Sequence, residues 1–227
     1  MGCSMSCYMC NKEKVSVEHA PPKSFFPSEM RSSLITVDSC QEHNEDTSLD
    51  DEYVRNLITM LIYGNSTAYK QFSEKTIKSF KRRPALLHSI TKKQHPVNFN
   101  GVQTVALEID RDRVDLVMRK IAYALFYHKY NQLWLRKLIT ATTHLKTPEF
   151  KNDPFAQLIE NIQRDHTPQY EGNNPDVFQF AFIRLDDNTH NNFLRMKFFN
   201  GFEIWIIPDD NAGESAPELN TIMNPKN

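Results

Sequence analysis

The 227 residues are enough for one domain or two small ones, and 40% hydrophobic with 24% charged residues is the balance of a globular chain that buries a real core. With 27 basic against 28 acidic residues, the formal net charge of -1 excludes a global pull toward nucleic acid, so such a partner has to be met by a local patch. No apolar run approaches the roughly eighteen residues of a membrane span, and the N-terminus lacks the apolar core of a secretory signal, so a cytoplasmic protein without a membrane partner is expected.

In chain order, Cys7-Tyr8-Met9-Cys10 opens as a tight turn presenting two thiols. Val15-Ser16-Val17 alternates as a short strand ending at Glu18-His19, where Pro21-Pro22 stops it. Leu34 to Val37 is a second run of β-formers, and Asp38 or Ser39 can cap a helix that starts near Cys40 and carries His43 and Asn44. Thr47 and Ser48 read as the cap of a helix with Leu49, Tyr53, Leu57, Ile58, Leu61 and Ile62 at helical spacing, closed by Gly64. A helix over about 67–80 turns Tyr69, Phe72 and Phe80 inward, and Pro84 opens another that ends near Lys93. Asn100-Gly101 marks a hairpin, and Asp110 or Asp112 opens a helix with Val114, Val117, Met118, Ile121 and Leu125 on one stripe. Asp153-Pro154 caps a further helix. Residues 171–175 read as a loop. Strands follow over 177–185, 193–199 and 202–208, with Asn200-Gly201 as the second hairpin turn, and the tail from Asp209 is polar enough to expect disorder.

The chemistry is concentrated near the start. All four cysteines lie within the first forty residues. A disulfide framework would spread them, and Cys40-x-x-His43 answers Cys7-x-x-Cys10 with the same two-residue gap. Cys7, Cys10, Cys40 and His43 are therefore expected to hold a Zn2+ ion. With four protein ligands no position stays open for water, so the zinc is structural and its binding energy is folding energy. The knuckle brings the end of one strand, Glu18-His19, toward the helix start that carries Asn44. A carboxylate and an amide oxygen suit a hard divalent cation such as Mg2+, and a neighbouring neutral imidazole can take a proton from water. Those are the parts of metal-assisted phosphodiester hydrolysis.

The order of Cys7-Tyr8-Met9-Cys10, Val17-Glu18-His19-Ala20-Pro21-Pro22 and Leu34-Ile35-Thr36-Val37-Asp38-Ser39-Cys40-Gln41-Glu42-His43-Asn44 resembles the HNH endonucleases of the ββα-metal class. The resemblance covers about the first fifth of the chain. It implies that His19 is the general base, that Glu18 and Asn44 hold the catalytic cation, and that the other four residues hold zinc. The chain departs from the family pattern in three places: Glu18 stands where Asp is usual, Ser33 where the middle Asn of the family name is expected, and His43 where Cys is common.

The expected architecture is α+β: an N-terminal zinc-stapled ββα-metal module over residues 1–64, an accessory domain of helices and two β-hairpins over 65–208, and a tail over 209–227. The expected activity is metal-dependent cleavage of phosphodiester bonds, with DNA as substrate. Candidate substrate contacts are Lys23 beside the site and Lys81, Arg82 and Arg83 in a run of cations that also includes Lys75, Lys78, Lys92 and Lys93. Two other readings fit the residues. One is a catalytically degenerate knuckle that only binds nucleic acid or protein, favoured by the missing middle Asn. The other is a toxin or phage-defence effector held by a regulatory protein partner. Asp50, Asp51 and Glu52 read as N-terminal helix acids or as another cation site.

Overall fold

The structure is a computed structural model and describes residues 6–99, 101–142, 154–184 and 189–209. It is an α+β protein in which every paired strand is antiparallel. Strand β1 (Ser16–His19) pairs with β2 (Thr36–Ser39), so that His19 lies opposite Thr36 and Ser16 opposite Ser39. The short helix α1 (Gln41–Asn44) follows at once, and a 3-10 turn over Glu45–Thr47 joins it to α2 (Ser48–Thr59). Cys40 is the N-cap of α1 in place of the expected Asp38 or Ser39, and Thr47 is the N-cap of α2 as expected, neither with a side-chain cap bond.

The next rod is one helical path in three pieces: α3 (Ser66–Gln71), a π-helical segment Phe72–Thr76, and α4 (Ile77–Arg82). The wider turn of the middle segment rotates the sequence stripe, and Tyr69, expected inward, is 74% exposed. Helix α2 also ends sooner than its apolar spacing implies, leaving Ile62 exposed; Leu49 in its first turn is exposed too, while Tyr53, Val54, Leu57 and Ile58 are buried. Helix α5 (Pro84–Thr91) leads into a separate two-stranded ribbon, β3 (Gln94–Phe99) and β4 (Val102–Leu107). Gly101 adopts φ +84 at its tip, while Asn100 lies outside the described residues.

Helix α6 (Arg111–Tyr130) is capped by Asp110, whose side chain accepts the N–H of Arg113. It packs on a five-stranded sheet of order β5-β9-β8-β7-β6. The strands are β5 (Leu138–Ala141), β6 (Glu171–Asn174), β7 (Phe178–Ile183), β8 (Phe193–Phe198) and β9 (Phe202–Pro208), with α7 (Pro154–Asp165) between β5 and β6 in the chain. Period-two alternation divides the sheet residues between two clusters. Leu194, Met196, Phe198, Phe202, Ile204 and Ile206 join the main core with α6, and Phe193, Trp205 and Ile207 pack with Ile159 and Ile162 of α7. Trp134 stacks on Phe126 at 4.6 Å between ring centroids.

Strands β5 and β6 were not legible. Glu171 to Asn174 was expected as a loop, because Glu, Gly and Asn are poor strand formers. It becomes an edge strand by pairing with β7, with an irregular register. The second hairpin turn is shifted one residue from Asn200-Gly201. Phe199 (φ 50) and Asn200 (φ 56) are its left-handed residues, and Gly201 N–H donates to Phe198 O at 3.0 Å. Gly201 serves packing instead, since a Cβ there would lie 2.5 Å from Tyr63 O. The same turn holds the α2–α3 connection, with Asn65 N–H donating to Phe199 O at 3.0 Å. The expected boundary at Gly64 therefore falls in the connection between α2 and α3, and the packing continues across it. One buried cluster runs from Cys7 through Phe25, Tyr53 and Val117 to Ile206, and Phe25 meets Phe198 at 5.8 Å. The tail from 210 onward and the Asp153 cap lie outside the described residues.

Candidate functional site

The N-terminal segment is laid along β2 by backbone bonds. Tyr8 N–H donates to Asp38 O at 2.8 Å and Val15 N–H to Ser39 O at 3.0 Å. Cys7 N–H donates to Lys12 O at 2.9 Å and closes the turn that carries Cys7 and Cys10. Cys40 and His43 sit one helical turn apart at the start of α1, facing that turn. Their ligand atoms and those of Cys7 and Cys10 all lie within 4.8 Å of one another. Nδ1 of His43 is 3.1 Å from Cys7 Sγ, 3.3 Å from Cys40 Sγ and 3.6 Å from Cys10 Sγ, and the Cys10 and Cys40 sulfurs are 3.9 Å apart.

A tetrahedral zinc with bonds of about 2.3 Å to sulfur and about 2.0 Å to nitrogen sets ligand separations of roughly 3.5–3.8 Å. The four residues fit that ion. Burial pushes Cys10 up to about 12 and also raises Cys40. Burial acts upward on Cys7 as well, but hydrogen bonds from His43 and from the backbone of Met9 and Cys40 carry it down to about 6, so one thiolate is favoured before a cation arrives.

Of the second group of residues, Asn44 directly follows His43 of the cluster in the chain. It donates its Nδ2 to Ser16 Oγ at 3.0 Å and to Val17 O at 3.2 Å. The amide is thereby fixed against β1 one residue before Glu18. Successive strand residues leave opposite faces. Glu18 points inward and is 3% exposed, whereas His19 is partly exposed. Burial lowers the pKa of His19, and the Lys23 ammonium lowers it further. Ala20–Pro21 is a cis peptide, and Ala20 N–H donates to Ile35 O at 3.0 Å as the chain turns away.

Glu18 meets a residue that sequence reasoning left unassigned. Lys120 of α6 is 1% exposed and donates to both oxygens of Asp51, at 2.8 and 2.9 Å, and to Thr47 Oγ1 at 2.8 Å. Its Nζ lies 3.6 Å from Glu18 Oε1, while Glu18 Oε2 is buried without a hydrogen-bond partner. Burial raises Glu18 to about 7 against the opposing pull of Lys120, with Asp51 adding to the rise. The signal for Lys120 was a charged residue between Val117 and Ile121 on the apolar stripe of α6. Its carboxylate partners could not be read, because they come from β1 and α2.

Asp50, Asp51 and Glu52 do not converge on one cation. Asp50 pairs with Arg113 at 2.6 Å, Asp51 with Lys120, and Glu52 with Arg83. Arg55 and Arg82 also approach Glu52, at 3.7 and 3.9 Å. Of the candidate substrate contacts, Lys23, Lys81, Arg82 and Arg83 are all exposed, with Arg83 tied to Glu52. Ser33, where a middle asparagine was expected, has φ 58, a conformation that asparagine tolerates well. An asparagine reaches this turn from elsewhere, since Asn173 of β6 donates its Nδ2 to Ser33 O at 2.8 Å. Among the described residues no helix is long and apolar enough to cross a membrane. No protein-family model, curated protein or solved structure matches the chain.

Proposed function

We propose that the protein is a metal-dependent endonuclease of the HNH type, hydrolysing phosphodiester bonds in DNA. The observation that carries this reading is the pinning of Asn44 against β1 beside Glu18-His19, by a helix whose preceding residue belongs to the Cys7–Cys10–Cys40–His43 cluster. In this reading the cluster holds a structural zinc that fixes α1 against the hairpin. The donor set for a second, hard cation is Glu18 and Asn44. Glu18 Oε2 is a buried oxygen without a partner, and Asn44 has spent its amide nitrogen on β1, which leaves its oxygen as donor. When bound, such a cation supplies positive charge to the scissile phosphate and the leaving oxygen. His19 accepts the proton of the attacking water. Burial and the Lys23 ammonium lower its pKa, which favours the neutral imidazole that can accept a proton. Lys23 places an ammonium beside that histidine, where it can meet a phosphate oxygen.

Two observations favour the second reading, a module that binds nucleic acid without cutting it. Glu18 is drawn into the Lys120–Asp51 network, and the position of the middle asparagine holds Ser33. Nicking of supercoiled plasmid by the full chain with added Mg2+ separates the two readings. The nuclease reading expects nicking, with His19→Ala lowering its rate by about 10²–10⁴-fold. Unchanged nicking by His19→Ala removes the assignment of the base, and tight binding without nicking supports the binding module.

A further inference from the structure

Seven lysines and arginines lie between Lys75 and Leu107, and this stretch of thirty-three residues contains no aspartate or glutamate. The chain as a whole carries 28 acids. A second acid-free stretch runs from Leu116 to Pro148, and its first fifteen residues are the largely buried end of α6, where burial itself excludes acids. Burial does not explain the first. From Lys81 to Leu107, Ile90 is the only buried residue among the described side chains. Lys78, Lys81, Arg82, Arg83, Lys92 and Lys93 are exposed, and among the described residues acidic partners are recorded only for Arg82 and Arg83 with Glu52 and for Lys93 with Glu108.

The end of this stretch is the β3–β4 ribbon. Among the described residues it has no third strand, and both of its faces meet solvent. A lone hairpin of this kind gains little stability from folding alone. Its pairing register puts Gln94, Asn98 and Gln103 on one face together with the exposed Val105 (49%), and His95, Val97, Thr104 and the exposed Val102 (59%) on the other. Gln94 to Leu107 carries no Lys, Arg, Asp or Glu at all, while the cations gather on α4, at Arg83 before α5, and at Lys92 and Lys93 between α5 and the ribbon. A two-stranded ribbon fits the major groove of a duplex, where amide side chains pair with base edges and apolar ones meet thymine methyl groups. Cations flanking such a ribbon meet phosphates.

We infer that α4, α5 and the β3–β4 ribbon form an arm that grips duplex DNA, with the ribbon's amide face in the major groove and Lys78, Lys81 and Lys92 on the backbone. The inference rests on the nucleic-acid reading of the site, and it assigns the segment that holds the substrate rather than the residues that cut it. The test is fluorescence anisotropy of the full chain with a labelled duplex, without added Mg2+, over a series of salt concentrations. Exposed positions are changed so that the fold is kept. The combined Lys78→Gln, Lys81→Gln and Lys92→Gln variant is expected to flatten the slope of log K against log salt by about 2.7, at about 0.9 per lost phosphate contact. Val105→Glu is expected to weaken binding about tenfold or more by setting a carboxylate toward the bases. Unchanged affinity and slope in both variants overturn the arm, as does a preference for single strands over the duplex of the same sequence. Failure of the two readings is distinguishable. A protein that binds through the arm but never nicks plasmid loses the nuclease assignment and keeps the arm. A protein that nicks while both variants bind normally keeps the nuclease and loses the arm.

Discussion

Lys75 ends on two carbonyl oxygens rather than on a carboxylate, at 2.8 Å from Phe26 O and 3.3 Å from Ser24 O. Burial, with Arg31 and Arg55 nearby, lowers its pKa from 10.5 to about 8. Below about 8 both the folded and the unfolded chain hold this proton. Between about 8 and 10.5 the folded chain has shed it while the unfolded chain keeps it, so the contribution of Lys75 to stability rises with pH across that window. Urea midpoints at pH 7.5 and 9.5 check the sign. The wild type is expected to gain relative to Lys75→Met as pH rises, and a constant difference between the two would remove the shift. Residue chemistry of the local kind was the part most legible in the sequence. The four residues that could hold a zinc ion come in two pairs, each with a two-residue gap, and a local spacing survives whatever the rest of the chain does. Lys75 could be named as a cation but not as a half-buried one, because the carbonyls it meets belong to the loop after β1.

At the scale of elements, Lys120 fastens α6 to the ββα unit. One ammonium satisfies Asp51 and Thr47 of the α2 region and approaches Glu18 of β1. Removing one partner of a buried ionic group leaves the others uncompensated and costs about 3–5 kcal/mol. Lys120→Met should therefore lower unfolding free energy by about that amount in chemical denaturation. A loss below about 1 kcal/mol would mean that the carboxylates simply take up protons. Several elements were readable from their own residues, including α6 with its Asp110 cap and apolar stripe, α5 with Pro84 at its start, and β7 to β9. Others depend on neighbours. β6 is a strand because β7 offers it an edge, and Tyr69 faces solvent because a π-helical segment rotates the rod after it. No local pattern carries either fact.

Across the whole molecule, the ββα unit and the C-terminal sheet share one core, closed where Gly201 lies against Tyr63 and where Asn173 holds the turn at Ser33. The sheet therefore supports the loop between β1 and β2 from behind. Phe80 of α4 and Ile90 of α5 join that core, while the ribbon that follows them turns both faces to solvent. The division expected near Gly64 is legible in the sequence as a helix stop, but the apolar faces on either side of it pack together. The proposed function assigns a zinc to the four clustered residues and a hard cation to a separate pair of oxygen donors, Glu18 and Asn44, with His19 as the base. The most direct test is a titration of the zinc-loaded full chain with Mn2+, followed by the paramagnetic signal of the free ion, with and without duplex DNA. The account predicts one bound Mn2+ besides one retained zinc, with Mn2+ binding lost and zinc kept in Asn44→Ala. A zinc-loaded protein that takes up no Mn2+, with or without DNA, would contradict it.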